Sequence, residues 1–169
     1  MILSLDLLII LVTVICIQGF VKSIIKIALV DEHILMRHAL ARLIDSFENC
    51  EVILELNNGQ ELLKALDALN LPDVILLDVN MPVADSFKTA AYLCSNYPSI
   101  HIVMLTMFES DQVLLRLLQI GIKGFLKKDV HPNELKFAIS SVMQSGFYCS
   151  QQVSAKIANF FNEQPHCTS

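Results

Sequence analysis

The residues best suited to chemistry are acids that follow apolar runs of the sequence. Asp31 and Glu32 come directly after the first such run, and Asp78 ends the third. Carboxylates that lie close together repel one another, which raises their pKa values unless a cation neutralises them. An oxygen-only cluster suits Mg²⁺, which takes few carboxylates and keeps several waters. We therefore expect Asp31, Glu32 and Asp78 to hold a divalent cation.

Two further polar residues follow later apolar runs. Thr106 follows the run 100–105, and its hydroxyl can donate to an anionic oxygen. Lys128 follows the run 124–126 and offers a compact cation that pairs with a phosphoryl group or a carboxylate. Each is weak evidence alone, because Thr is common in strands and Lys128 is flanked by two other charged residues. The four strand ends together have an acid pair, an acid, a hydroxyl and an amine. This combination is more specific than any one of these residues alone.

The elements that position these residues alternate regularly along the chain. The apolar runs are 24–30, 52–56, 74–77, 100–105 and 124–126. Runs that are apolar on both faces are typical of buried parallel strands, and segments of helical period lie between them. The apolar positions that share one face of the first such segment are Leu35, Ala39, Leu43 and Phe47. We expect that stripe to face the core.

Five strand–helix repeats predict an α/β fold, a doubly wound five-stranded parallel sheet with helices on both faces. Ligands of such sheets bind at the carboxyl ends of the strands, where the strand order reverses. For the order 2-1-3-4-5 this point lies between the first and third strands. The acids at positions 31, 32 and 78 would converge there.

Composition excludes several classes of protein. The formal charge of −5, from 12 Lys and Arg against 17 Asp and Glu, argues against binding nucleic acid by bulk charge. Hydrophobic residues make up 54% and charged residues 17%, which excludes disorder for most of the length. The five cysteines have no spacing typical of a zinc or redox motif. We expect His33, His38 and His101 to be surface or packed residues and not metal ligands.

The first twenty-one residues are a separate segment. Sixteen of them are apolar, and Asp6 is the only charged residue among them. A membrane helix needs about 20 apolar residues, and Lys22 and Lys26 would keep the rest of the chain in the cytoplasm. Two interpretations stay open: an anchor to the cytoplasmic face of the inner membrane, or a miscalled start codon ahead of a cytoplasmic protein.

Four motifs resemble the receiver domain of bacterial two-component response regulators. In chain order they are Ile27-Ala28-Leu29-Val30-Asp31-Glu32-His33, Leu76-Leu77-Asp78-Val79-Asn80-Met81-Pro82, Met104-Leu105-Thr106 and Gly124-Phe125-Leu126-Lys127-Lys128-Asp129. The resemblance runs from about Lys26 to about Gly146 and covers a CheY-like domain. The acid–His start and the Lys-Asp pair look most like the LuxR/FixJ-type subfamily.

The resemblance implies a phosphoryl-accepting signalling protein and not a conventional enzyme. Asp78 looks like the phosphoryl acceptor, supplied by a histidine kinase or a phosphotransfer protein. Asp31, Glu32, Asp78 and the backbone carbonyl of Asn80 would hold Mg²⁺, which neutralises charge on the transferring oxygens.

The same resemblance implies how the phosphorylated protein would pass on its signal. Thr106 and Lys128 would receive the phosphoryl oxygens, and Phe125 matches the family's switch aromatic. When Thr106 moves toward the phosphoryl group, Phe125 would turn inward behind it. The fourth helix, the fifth strand and the fifth helix would then present a changed surface for protein contacts. Core packing is the alternative explanation for Phe125.

Two positions depart from the family pattern. Glu32 stands where the second acid is usually Asp, and Ser86 stands where the family usually has Gly. A longer acid would change metal binding, and Ser86 would strain the loop if its φ had to be positive. An N-cap role is the alternative for Ser86. The competing function is a pseudo-receiver, a protein-binding module that is never phosphorylated.

The predicted domains are 1–21, the apolar segment; 22–147, the receiver; and 148–169, a linker-like helix with a loose tail. Val153, Ile157 and Phe161 have helical spacing and form either a surface for a second copy of the chain or an orphaned apolar face. A DNA-binding domain would usually follow in the subfamily, but no recognition helix or basic stripe is present. We therefore expect no direct nucleic-acid binding, and either a stand-alone receiver or a shortened regulator.

Overall fold

Apolar strands and amphipathic helices alternate along the chain of the computed structural model, which describes residues 24–66, 69–81, 83–107, 110–151, 153–156 and 158. In chain order the elements are β1 (Ile25–Val30), α1 (Ile34–Asp45), β2 (Cys50–Leu56), α2 (Gly59–Ala65), β3 (Val74–Asp78), α3 (Val83–Asn96), β4 (His101–Thr106), α4 (Asp111–Ile120), β5 (Gly124–Lys127), α5 (Pro132–Ser145) and β6 (Tyr148–Cys149).

The strands form one parallel sheet in the order β2-β1-β3-β4-β5-β6. The predicted fold class and the order 2-1-3-4-5 are confirmed, and β6 adds a short strand at the edge. Its Tyr148 donates its backbone N–H to the carbonyl of Lys123 at 2.8 Å and its hydroxyl to Glu134 at 2.9 Å. Two residues are too few to give a strand pattern, so the sequence did not indicate β6.

Alternate residues of the central strands pack on opposite faces of the sheet. Ile75 and Leu77 pack with residues of α2, α3 and α4, whereas Val74 and Leu76 pack with residues of α1 and α5. All four are fully buried, and each such side chain contributes roughly 1.5–3 kcal/mol relative to an exposed one. Helices on both faces therefore hold the carboxyl ends of β1 and β3 in fixed positions.

The face of α1 that packs on the sheet differs from the prediction. Its buried residues are Arg37, Ala41 and Ile44, and Leu35 is 84% exposed. Apolar residues lie on more than one side of α1, so the helical period of the sequence does not show which side packs on the sheet. Arg37 lies on the buried face because its guanidinium donates to the backbone carbonyl of Asp31. The prediction is therefore wrong for Leu35 and Ala39, which are exposed, whereas Leu43 and Phe47 are partly buried and pack against the core.

The packed part of the chain continues past residue 147. β6 joins the sheet, and Val153 is fully buried in the cluster that contains Phe87 and Leu114. Ile157 and Phe161, which share the predicted helical spacing with Val153, lie outside the described residues. The apolar segment 1–21 and the tail 162–169 lie outside them as well. In the part of the chain that the structure does cover, no helix has the length and apolar character needed to span a bilayer.

We predict that Gly59 cannot be enlarged while Thr89 is present. A Cβ at Gly59 would lie 2.0 Å from Oγ1 and 2.9 Å from Cβ of Thr89, where α2 meets α3. Gly59→Ala should lower the free energy of unfolding by about 1–3 kcal/mol, as overpacking does. In Thr89→Ala the same replacement should cost less, because Oγ1 and Cγ2 are gone.

Urea unfolding of the two single variants and the double variant measures this coupling. Gln60→Ala, an exposed neighbour, is the matched control and should leave stability unchanged. Additive effects of the Gly59 and Thr89 replacements would contradict the predicted contact.

Candidate functional site

Four strand ends bring polar side chains to one edge of the sheet. Asp31 follows β1, Asp78 ends β3, Thr106 ends β4 and Lys128 follows β5. The register places these ends side by side, with Asp78 paired to Leu105 and Thr106 paired to Lys127. β1 and β3 are neighbours at the point where the strand order reverses. The convergence expected from the sequence is therefore present for these four residues.

Lys128 lies between the two buried acids. Its Nζ donates to Oδ2 of Asp31 at 2.6 Å and forms an ion pair with Oδ2 of Asp78 at 2.7 Å. The Lys128 side chain is only 5% exposed, and Asp78 is 0% exposed. Two buried carboxylates need such a partner, because an unpaired buried charge is costly.

Asp31 keeps its charge in this setting. Burial by itself would raise its pKa. The hydrogen bond from Lys128, the backbone N–H of His33 and the charge of Lys128 outweigh burial, so the pKa of Asp31 lies below its ordinary value of 3.8. The carboxylate is thus ionised at neutral pH and available to a cation.

The two oxygens of Asp78 have different environments. Oδ1 accepts the backbone N–H of Asn80 at 2.9 Å. Oδ2 is buried and accepts no hydrogen bond of suitable angle from any described residue, so its contact with Lys128 is ionic only. An oxygen with free lone pairs, held beside an ammonium, can act as a nucleophile or as a metal ligand.

Thr106 and Phe125 are neighbours behind this edge. Both are buried, and with Val79 and Leu114 they line one small cavity between the sheet and α4. The Phe125 ring already lies inside. Movement of Thr106 would therefore change the space in which that ring packs.

The remaining predicted site residues lie at the rim. Glu32 and Asn80 are exposed, and the carboxylate of Glu32 is outside the group that Asp31 and Asp78 form.

Ser86 lies inside α3 and not at its N-cap. Its hydroxyl donates to the carbonyl of Asp78 at 3.0 Å. Among the described residues only glycines have positive φ, so the backbone strain considered for Ser86 is absent. Its hydroxyl instead ties α3 to the end of β3.

The sequence interpretation missed His33 as a neighbour of the acids. Its Nδ1 lies 3.0 Å from Oδ1 of Asp31 and 4.0 Å from Oδ2 of Asp78, and its backbone N–H donates to Oδ1 of Asp31 at 2.8 Å. The signal was its position two residues after a strand-end acid, where the chain turns back over that acid.

Arg37 was also missed. It is buried, donates to the carbonyl of Asp31, and its Nε lies 3.8 Å from Oε2 of Glu55. Glu55 in turn contacts Nδ1 of His38 at 2.9 Å. A buried guanidinium held in this way fixes the loop that carries Asp31. The signal was a charged residue amid the apolar residues of α1.

The donor set fits a divalent cation. Asp31, His33 and Asp78 each offer one ligand atom, and these atoms lie within 4.8 Å of one another. Two carboxylates, one of which has an oxygen that accepts no hydrogen bond from the described residues, are the type of site that Mg²⁺ and related ions use. The side chains that would hold the ion are therefore Asp31 and Asp78, with His33 beside them.

We predict that Lys128→Met destabilises the protein in a pH-dependent way. At neutral pH the two acids lose their shared cation, and the free energy of unfolding should fall by roughly 3–5 kcal/mol. The wild-type pKa of Asp31 is lowered, so its stabilisation is complete above pH 3.8 and is lost as the pH falls through the folded-state value. In the variant, burial without the ammonium raises that pKa, so the deficit should shrink as the pH is lowered.

Urea unfolding from neutral to acidic pH measures this deficit. Lys127→Met is the matched control, because Lys127 is adjacent but forms no ion pair with Asp31 or Asp78. An equal, pH-independent loss in both variants would contradict the role assigned to the Lys128 ammonium.

Comparison with known proteins agrees with this arrangement. The chain is 32% identical to the response regulator GacA of Pseudomonas aeruginosa over 143 residues, which is 84% of this chain and 66% of GacA. The match thus spans about two thirds of that longer regulator.

Solved structures have the same architecture. A LuxR-family two-component response regulator from Aurantimonas sp. SI85-9A1 has a TM-score of 0.75 at 25% identity and covers 83% of this chain and 100% of its own. The isolated receiver domain of RcsB from Salmonella enterica serovar Typhimurium has a TM-score of 0.71 at 22% identity and covers 79% and 99%.

The family model that matches the chain is the response regulator receiver domain, over residues 27–140. This range contains all four strand-end residues discussed above, from Asp31 to Lys128. The chain therefore belongs to the response regulator receiver family of two-component signalling systems.

Proposed function

We propose that this receiver accepts a phosphoryl group on Asp78 from a histidine kinase or a phosphotransfer protein. The observation that supports this most directly is Oδ2 of Asp78, which is buried, accepts no hydrogen bond from the described residues and lies 2.7 Å from the Lys128 ammonium. Receivers are signalling proteins, and the reaction would be a stoichiometric transfer that changes the protein itself.

In the transfer, Oδ2 of Asp78 attacks phosphorus and forms an O–P bond as the donor's N–P bond breaks. The donor imidazole leaves with the electron pair of that bond. The product is a mixed anhydride, in which the former carboxylate charge is replaced by the charge of the phosphoryl oxygens. Lys128 stays as the cation for those oxygens, and the Thr106 hydroxyl donates to one of them.

A bound Mg²⁺ would neutralise charge that develops on the phosphoryl oxygens. Asp31, Asp78 and the backbone carbonyl of Asn80 are proposed as its protein ligands. Glu32 is exposed at the rim and would take part by a change of rotamer or through water. This longer, outward acid is the one observation that favours a pseudo-receiver as the second candidate.

The proposed output is a shift in the surface of α4, β5 and α5. Thr106 and Phe125 line one cavity, so movement of Thr106 toward the phosphoryl group would alter the packing of Phe125. The RcsB receiver was solved in the presence of the phosphomimetic BeF3⁻, which is consistent with such a site in the fold. We propose that the changed surface binds a protein partner or a second copy of the chain.

The remaining proposals concern place and partners. We assign the receiver to the cytoplasm, at the inner membrane if residues 1–21 serve as an anchor, and assign no nucleic-acid contact to the described residues. Donor, metal and site then lie in one compartment.

Intact-mass spectrometry after incubation with acetyl phosphate tests the proposal. With Mg²⁺ the full chain should gain one phosphoryl group, and without Mg²⁺ the gain should be much smaller. Asp78→Asn should gain none, because the amide cannot form the anhydride. Asp129→Asn, an exposed acid next to Lys128, is the matched control and should behave like the wild type.

An Asp78→Asn variant that still gains the group would refute Asp78 as acceptor. No gain in wild-type protein, shown to be folded by circular dichroism, would favour the pseudo-receiver.

A further inference from the structure

The chain continues past β6 as a helical segment that packs back onto the domain. Ser150 is its N-cap, because Oγ accepts the backbone N–H of Val153 at 3.4 Å and the carbonyl accepts that of Ser154 at 2.9 Å. Residues 151, 153–156 and 158 are helical. We call these residues together with Ser150 the strap. Because β6 is parallel to β5, the strap begins at the edge of the sheet that carries Asp78.

A single buried side chain attaches the described part of the strap. Val153 is 0% exposed and belongs to the apolar cluster that contains Leu114 of α4 and Phe125 of β5. Among the described residues of the strap, Val153 alone is buried, and positions 151, 154, 155 and 158 are exposed. Segments with few buried apolar contacts open locally while the rest of a domain stays folded. The strap is therefore suited to release.

The far end of the strap lies beside the start of α4. Nζ of Lys156 is 3.4 Å from Oδ1 of Asp111, the first residue of that helix. The two side chains are 39% and 69% exposed, so this ion pair adds little stability. Its position shows that the strap crosses from β6 to the N-terminus of α4. The strap thus covers part of the surface through which the proposed signal would leave the protein.

Phe125 connects the strap with the phosphoryl site. It is paired with Cys149 of β6, and with Thr106 it lines the small cavity between the sheet and α4. Movement of Thr106 toward a phosphoryl group on Asp78 would open space beside the Phe125 ring. A close-packed interior fills such space by moving the ring and α4. Val153 would then lose part of the surface against which it packs.

We propose that the strap is an autoinhibitory contact, which covers the α4–β5 surface in the unphosphorylated protein and is released when Asp78 carries a phosphoryl group. The inference rests on the proposed function for its trigger and adds the element that responds. Coupling of this kind is reciprocal. If a group bound at Asp78 weakens the strap, then weakening the strap must strengthen the binding of that group.

Hydrogen exchange of the full chain, with and without BeF3⁻ in the presence of Mg²⁺, tests the release. BeF3⁻ is the phosphomimetic used with the RcsB receiver, and fluorine NMR of the same samples gives the fraction of protein that has bound it. The peptide that spans the strap should exchange about tenfold faster once BeF3⁻ is bound, because its local opening becomes easier. Peptides from β1 and β3 should exchange no faster.

Two variants weaken the strap by different means. Val153→Ala removes two methyl groups from the buried anchor. Ser154→Pro, at an exposed position, removes the hydrogen bond to the carbonyl of Ser150 and leaves the anchor in place. Both should bind BeF3⁻ about fivefold more tightly than the wild type, as reciprocity requires.

Val142→Ala is the matched control. It makes the same change in a valine that is 1% exposed and packs on the opposite face of the sheet. This variant should lose stability, as a buried valine does on truncation, and keep the wild-type dissociation constant for BeF3⁻. An equal gain of affinity in Val142→Ala would assign the effect to lost stability and reject the strap.

The remaining outcomes separate this inference from the proposed function. Wild-type protein that binds BeF3⁻ with unchanged or slower hydrogen exchange in the strap would overturn the strap and leave the proposed function standing. Equal BeF3⁻ affinities of the wild type and both strap variants would do the same. A folded full chain that neither binds BeF3⁻ nor gains a phosphoryl group from acetyl phosphate would overturn both.

Discussion

Two carboxylates buried at the reversal point of the sheet need a cation, and Lys128 supplies it. From the end of β5 its ammonium reaches past β4 to within 2.7 Å of Asp78 on β3 and 2.6 Å of Asp31 after β1. Coulomb repulsion between the acids would otherwise favour protonation of one of them or local opening. The arrangement of β1, β3, β4 and β5 is what allows one lysine to serve both acids.

The same interaction links stability to the proposed function. A buried ion pair is a weak source of net stability, since desolvation offsets most of its attraction. It does keep Asp31 ionised. The same ammonium, 2.7 Å from Oδ2 of Asp78, balances the charge of that carboxylate and would balance the charge of a phosphoryl group formed there.

Much of this was predictable because strand ends in a parallel sheet must meet. The apolar runs identified β1 to β5, and the strand order placed Asp31, Asp78, Thr106 and Lys128 on one edge without any structural information. Those inferences rest on period and topology, which local sequence determines well.

Contacts that depend on tertiary packing were harder to predict from the sequence. α1 has apolar residues on several stripes, so its buried face was decided by Arg37 and the carbonyl of Asp31. The turn after β1 points Glu32 outward and His33 over the acids, a difference of one residue that spacing cannot resolve. β6 is only two residues long and is defined by its pairing with β5.

The central claim is that Asp78 is the acceptor, and chemical mapping of the modified residue tests it most directly. After incubation of the full chain with acetyl phosphate and Mg²⁺, borohydride reduces an aspartyl phosphate to homoserine, which peptide mass spectrometry locates. We predict homoserine at position 78 and at no other acid of the pocket. Homoserine at position 31, or at no position of the folded protein, would contradict the account.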